Sequence, residues 1–145
     1  MMLLCRSIFL LILLSAASVA QVEIAGCKSY GPASVSLHGT LLKKTFPGPP
    51  NYEDVHKGDK PETFWLLKLD SPICVAQDKS EPDLDPEQKD LREVELVLDN
   101  EQAGRVHLLL GKRIVATGTL FGAHTGHHHT PALLTVTYLD LPHWK

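Results

Sequence analysis

The sequence lacks any apolar run long enough to cross a bilayer, since the longest, Ile8–Leu14, is shorter than a membrane-spanning helix requires. The basic Arg6 precedes this run, and small residues that include Ser18 and Ala20 follow it. This order of a basic start, a short apolar core and small side chains before a cut is typical of a secretory signal peptide. We therefore expect cleavage after Ala20, a single domain over residues 21–145, and a periplasmic or secreted protein.

A lipoprotein signal is the alternative reading of the same region. The residues from Ile24 to Cys27 resemble the lipobox that precedes an acylated cysteine in bacterial lipoproteins. However, the polar Gln21 and Glu23 separate this match from the apolar core, whereas a lipobox normally abuts it. We therefore expect a soluble exported protein ahead of one that is lipidated at Cys27.

Cysteine is scarce. Of the three cysteines, Cys5 leaves with the signal peptide, and Cys27 and Cys74 remain. The chain has no Cys-x-x-Cys spacing, which argues against a thiolate metal site or a reactive thiol pair. Because an exported protein matures in an oxidising compartment, we expect one disulfide between Cys27 and Cys74.

Positive charge is also in short supply. The chain has 14 Lys and Arg residues against 17 Asp and Glu residues, and the loss of Arg6 would make the formal net charge of −3 more negative by one unit. A nucleic-acid binder needs an excess of Lys and Arg to neutralise phosphates. The charge balance therefore argues against nucleic acid as a partner.

The familiar catalytic motifs are missing. The sequence has no Gly-x-Ser-x-Gly elbow, no His-Glu-x-x-His helix and no phosphate-binding loop. A hydrolase would have to use Glu53 or Asp54 together with a histidine as acid and base. We rank this enzymatic interpretation below a noncatalytic function.

What the sequence does contain is a series of short strand patterns. Residues 34–42 alternate apolar and polar side chains, as a half-buried strand does. Turn residues separate this segment from others of similar character. Further strands are predicted over 63–69, 94–98, 113–121 and 133–139, with a short helix or turn within 100–110. Residues 77–93 are interpreted as a solvated connection, in which Asp85 could cap a short helix to about Arg92.

Five strands with a brief helix between the third and fourth predict an all-β fold, a small closed antiparallel barrel like the oligonucleotide/oligosaccharide-binding (OB) fold. A repeated Gly-Thr-Leu places Gly39 and Gly118 at equivalent strand positions, so we expect the two strands that carry these glycines to pair where the barrel bends. In an OB-like barrel the loops at 45–62 and 122–131 flank one binding face, so we expect them to converge.

Several motifs resemble those of a known family. They are Phe-Pro-Gly-Pro-Pro-Asn-Tyr-Glu at 46–53, Gly-Asp at 58–59 followed by Pro-Glu at 61–62, Ile-Cys-Val at 73–75, and Thr-Gly-His-His-His-Thr-Pro at 125–131. Together they resemble a bacterial exported family described as domain of unknown function 4431. The resemblance implies a small exported bacterial domain without an established activity, and it carries over no catalytic residues.

The leading functional interpretation is a noncatalytic binding module. Loops held by a rigid scaffold often carry binding residues. We expect the two loops to hold a polar small molecule, a glycan or a partner protein of the periplasm. The predicted ligand contacts are Tyr52, Glu53, Asp54, His124 and Thr125.

The histidine cluster supports a second interpretation, a zinc- or copper-binding protein; no other cofactor is expected. The candidate ligands are His124, His127, His128 and His129, because neutral imidazoles bind these metals. In an extended chain His127 and His129 point to one side and His128 to the other. Two or three of them could share an ion that Glu53, Asp54 or His56 completes.

A structural role is the remaining alternative for the histidines. Imidazoles in such a connection can hydrogen-bond its backbone and lock the hairpin, with Thr125 and Thr130 supporting the turn.

Overall fold

The computed structural model describes residues 26–142, which form a mostly β structure of six strands and one short α-helix. The predicted signal peptide at 1–20 lies outside the described residues. Strands two to six correspond to the five predicted strands. The elements are β1 (Lys28–Ser29), β2 (Ser34–Pro47), β3 (Pro61–Ala76), β4 (Gln88–Val97), α1 (Asn100–Arg105), β5 (Arg113–Gly122) and β6 (Ala132–Asp140).

The strands are hydrogen-bonded in the order β1-β3-β2-β5-β6-β4, and β3 also pairs with β4. Five strands, β2 to β6, therefore form a ring. Four of its five pairings are antiparallel, but β4 and β6 run parallel. The prediction of a wholly antiparallel arrangement was wrong for this pair, because the chain passes through α1 and β5 before it returns beside β4.

Strands β2 and β3 are longer than predicted, so the first loop spans only residues 48–60. The expected loop at 45–62 was wrong at both ends, because the ladder continues to the pair Pro47 and Pro61. Proline has no N–H to donate, but at the last rung of a ladder this costs little. Pro72 likewise lies within β3 rather than ending it.

The helix predicted over 85–92 is absent, and β4 begins at Gln88 instead. Pairing with β3 decides the conformation here, as tertiary contacts often override local propensity. The helix predicted within 100–110 is present in part, as α1 followed by a 3-10 turn at Val106–Leu109. Asp99 and Gln102 form a capping box at its start, and Gly111, with φ 75°, follows its end as expected.

The interior of the ring holds the hydrophobic core. Side chains from all five ring strands contribute fully buried residues, among them Leu41, Leu67, Val94, Ile114 and Leu134. Two other buried leucines, Leu66 and Leu133, are not part of this cluster. Because side chains alternate along a strand, they lie on the opposite, outer face of the ring.

The predicted pairing of the two strands that carry the repeated Gly-Thr-Leu is confirmed. Strands β2 and β5 are neighbours, but their register places Gly39 opposite Ile114 and Gly118 opposite Val35. Each glycine instead allows a close approach by another strand. A Cβ atom would collide with the Lys68 carbonyl at Gly39 and with the Thr135 carbonyl at Gly118.

The predicted disulfide is confirmed. It joins Cys27 to Cys74 of β3, 47 residues apart in sequence, and it holds β1 beside β3, where Lys28 pairs with Val75. A disulfide is compatible with an exported protein. Within residues 26–142, no helix is long and apolar enough to span a membrane.

Substitution of Gly118 by alanine tests the close approach of β5 and β6. We expect Gly118→Ala to lower the free energy of unfolding by roughly 1–3 kcal/mol, because the added methyl group forces the backbone at Thr135 to move. Urea denaturation measures the loss. The control is Gly126→Ala, where a Cβ atom would meet nothing within 4 Å. Equal stability of the two variants would contradict this packing.

Candidate functional site

The two loops predicted to converge do lie side by side. The rings of Phe46, at the end of β2, and His129 are stacked, with centroids 3.7 Å apart and planes 4° from parallel. Nearer the tip of the 48–60 loop, the ring of Tyr52 meets that of His127 edge-on at 4.9 Å. The second loop runs over residues 123–131, between β5 and β6. Aromatic contacts therefore join the two irregular segments at one end of the ring.

The contact depends on a small cluster on the outer face of the ring, which we call the outer cluster: Leu66 of β3, Glu95 of β4 and Leu133 of β6. These residues are register partners across three adjacent strands. Each is at most 4% exposed although it points away from the core. The 123–131 loop folds back over this face, since three of its residues contact Glu95.

Glu95 is a buried carboxylate that organises the loop. Its Oε2 accepts a hydrogen bond from the backbone N–H of His129 at 3.0 Å, and its Oε1 lies 3.4 Å from Nδ1 of His128. The backbone N–H of Glu95 donates to the Thr130 hydroxyl at 3.0 Å, and this hydroxyl donates to the Ala132 carbonyl at 2.8 Å. A buried carboxylate is tolerated only when such partners satisfy it.

The His129 ring fills the space between the two loops. Besides its stack on Phe46, it meets the ring of Phe64 edge-on at 4.7 Å. Phe64 precedes Leu66 by two residues on β3 and therefore shares the outer face. The His129 imidazole is thus packed against two aromatic rings.

A second carboxylate, Asp85, holds the start of the loop. It is 8% exposed, and its Oδ1 accepts a hydrogen bond from the N–H of Gly122 at 2.6 Å. The same oxygen lies 3.6 Å from Nε2 of His124. The ring of Phe121 contacts both His124 and His128 edge-on. Both ends of the loop are therefore fixed by a buried acid.

The four imidazoles do not point toward a common centre. His124 and His128 flank Phe121, whereas His127 and His129 face the first loop. His127 and His129 thus share a side, as expected, although a turn rather than an extended chain places them there. Among residues 26–142, no group of three or more His, Cys, Asp or Glu side chains is arranged to hold a metal ion.

The 48–60 loop is built around Asp59, which is 4% exposed. Its carboxylate accepts backbone N–H groups of Asp54 at 2.9 Å, Glu53 at 2.8 Å and Asn51 at 2.9 Å. These bonds, led by that from Asp54, hold the pKa of Asp59 below its ordinary value. They also fix Tyr52 at the tip, with φ 59° and its side chain 41% exposed.

The other predicted contact residues occupy separate positions. Glu53 is exposed, and Asp54 caps a 3-10 turn by accepting the N–H of His56 at 2.8 Å. Thr125 is exposed and supports the turn, because its carbonyl accepts the N–H of His128. Within residues 26–142, the ion-pair contacts between carboxylates and imidazoles join Asp85 to His124 and Glu95 to His128, rather than involving Glu53 or Asp54.

A cleft of about 640 Å³ adjoins the His129 side of the loop. It opens where the β3–β4 ladder separates: between the pairs Lys68–Glu93 and Ile73–Leu91, β3 has the four residues 69–72 and β4 has one. Asp90 in β4 adopts φ 55°, a second irregularity at the same place. The walls are residues 68–70 and 72 of β3, 88–93 of β4, and 129–131 of the second loop.

Sequence reasoning missed Glu95, Asp85 and the cleft. One signal for Glu95 was available, since it is an acid between Val94 and Leu96 in the otherwise apolar segment 94–98. A charged residue at such a position is either on a solvated face or paired in the interior. The position of Glu95 on the outer face, between Leu66 of β3 and Leu133 of β6, decides between these alternatives.

Comparison with known proteins gives one family match within the chain. Residues 93–140 match a family model described as Domain of unknown function (DUF4431). The matched segment begins in β4 and ends with β6, so it includes Glu95 and the whole 123–131 loop. The predicted resemblance to this family is confirmed over these residues. No curated protein and no solved structure gave a match.

Substitution of Glu95 by glutamine tests its role as the anchor of the loop. We expect Glu95→Gln to lower the free energy of unfolding by about 2 kcal/mol, because the charge-assisted bond to the His129 N–H is lost from a buried site. Urea denaturation measures the stability, and amide chemical shifts report the loop.

The matched control is Glu81→Gln, since Glu81 is exposed in the connection before β4. This control should leave both readouts unchanged. If Glu95→Gln also left the 123–131 amides unshifted, Glu95 would not be the anchor.

Proposed function

We propose that this protein is an exported, noncatalytic binding module with an OB-like barrel. Counted without β1, the ring strands are five, and α1 lies between the third and the fourth. This is the order of elements in the OB fold, whose binding face is formed by strands two and three and flanked by loops 1–2 and 4–5. The corresponding features here are β3, β4, the 48–60 loop and the 123–131 loop.

The observation that carries the proposal is the position of the cleft. It lies between β3 and β4 and borders the 123–131 loop, where an OB-like barrel binds its ligands. Its volume of about 640 Å³ falls within the range of small-molecule sites. Size therefore favours a polar metabolite or a short glycan over the surface of a partner protein.

The irregularities of the two strands are a second support. The ladder is interrupted by the bulged segment at 69–72 and again beyond the Ile73–Leu91 pair, where Asp90 adopts a left-handed conformation. Bulges and sparsely populated backbone conformations are concentrated next to functional sites. Interrupting the β3–β4 ladder costs stability, and binding of a ligand in the resulting space would explain why that cost is tolerated.

The loops are fixed before a ligand arrives. Glu95 and Asp85 hold the 123–131 loop, and Asp59 holds the 48–60 loop through three backbone N–H groups. A site whose loops are ordered in advance loses less entropy on binding. Tyr52 and His127, paired at the tips, are the loop side chains proposed to contact the ligand beside the cleft.

Export is proposed on two grounds. The residues at 1–20 have the pattern of a signal peptide, and the domain carries the Cys27–Cys74 disulfide. Under this proposal the ligand is a molecule of the periplasm or the exterior.

A metabolite and glycan array tests the proposed function with the protein, one variant of the cleft and one variant of the 48–60 loop. We expect bound compounds to lose at least roughly tenfold in affinity in Lys89→Trp, because the indole would occupy the cleft that Lys89 lines, and to bind more weakly in Tyr52→Ala. Zinc and copper are included to test the histidine alternative.

Lys79→Trp is the control, since Lys79 is an exposed lysine outside the cleft. It should bind every compound as the unmodified protein does. Compounds that bound Lys89→Trp with full affinity would place the site elsewhere, and an array without any bound compound would count against a binding module.

A further inference from the structure

The charges in the cleft point to the kind of ligand it holds. Its walls carry three acidic residues, Asp70, Asp90 and Glu93, and three basic ones, Lys68, Lys89 and Arg92. Judged by composition alone, the cleft is electrically neutral. The ion pairs that these side chains form, some of them with residues outside the cleft, instead leave the cleft with a positive excess.

Each cleft acid is already paired with a cation. Arg113 donates to Asp70 Oδ2 from Nε at 2.7 Å, and its Nη2 is also 2.7 Å from that oxygen. Lys44 Nζ donates to both oxygens of Glu93, at 2.8 and 2.7 Å. Both cations come from residues that do not line the cleft. The walls therefore offer little uncompensated negative charge from these two acids.

The third acid, Asp90, is paired within the cleft by Arg92, which donates to both carboxylate oxygens at 3.1 and 2.9 Å. Among the described residues, the Lys89 ammonium forms an ion pair with Glu87, at 3.2 Å, and both of these side chains are largely exposed. Such a solvated pair is weak, so Lys89 keeps much of its capacity to attract an anion.

Lys68 is the cation that remains. It is exposed on β3 directly before the bulged segment, and it lines the cleft. Its cross-strand neighbour is Glu93, whose carboxylate is bonded to Lys44. Within the part of the chain that the structure describes, the Lys68 ammonium forms no ion pair or side-chain hydrogen bond.

We infer that the cleft takes a small molecule bearing a carboxylate or phosphate group, with the Lys68 ammonium as its ion partner. The inference rests on the proposed function and names the ligand class for the same site. With Lys44 and Arg113 satisfying two cleft acids, Lys68 and Lys89 leave a local positive excess. This excess stands out because the chain as a whole carries a formal net charge of −3.

An NMR titration of the ¹⁵N-labelled protein tests the ligand class. The probes are glucuronate, glucose 6-phosphate and neutral glucose, three sugars of similar size. We expect the two anions to shift the amides of residues 68–72 and 88–92, and glucose to shift them little. Binding should weaken as sodium chloride is raised, because salt screens an accessible ion pair. A response to one anion alone would support the inference and identify the group as carboxylate or phosphate.

Variants assign the effect to Lys68. Lys68→Ala should raise the dissociation constant of the anions by roughly threefold to tenfold, and Lys68→Arg, which keeps the charge, should restore most of the affinity. Lys79→Ala removes an exposed lysine outside the cleft and should change nothing.

Three outcomes would overturn the inference. If glucose shifted the same amides as strongly and Lys68→Ala had no effect, the cleft would bind ligands but not anions, and the proposed function would stand. If Lys68→Ala and Lys79→Ala weakened binding equally, the effect would be general charge. If no probe shifted the cleft amides, the anion class would be wrong, and the array would decide the proposed function separately.

Discussion

A carboxylate buried on the outside of the sheet is the constraint on which the rest of the site depends. Glu95 points away from the core, yet it is 4% exposed because the 123–131 loop covers it. A buried charge without partners would cost several kcal/mol, so the loop must supply donors at this point. Because His129 donates its N–H to Glu95, its ring is held where it stacks on Phe46. The 123–131 loop therefore meets the end of β2.

The same neighbourhood explains the location of the cleft. Strands β3 and β4 are joined through Lys68 and Glu93, separate at residues 69–72, and meet again at Ile73 and Leu91. The covered outer face lies on one side of this opening, and His129 forms part of its wall. The arrangement combines rigid loops with a gap between strands, which is a suitable combination for holding a small ligand.

Sequence patterns predicted what local alternation can encode. The strand at 34–42, the cap near Gly111, the disulfide and the adjacency of the two loops were correct. Pro47, Pro61 and Pro72 lie within strands, although proline usually marks a loop. The energetic cost of its missing N–H depends on its place in the ladder, which the sequence does not show. The region at 85–92 was misassigned, since pairing with β3 outweighs local preference. The role of Glu95 depends on three strands distant in sequence, which no local pattern encodes.

The central claim is that the stack of His129 on Phe46 holds the 123–131 loop against the end of β2 on the outer face, beside the 48–60 loop. A double-mutant cycle with Phe46→Ala and His129→Ala measures this contact directly, using free energies of unfolding in urea. The account predicts a coupling energy of about 1 kcal/mol, as expected for stacked aromatic rings. Additive effects of the two substitutions, with a coupling energy near zero, would contradict it.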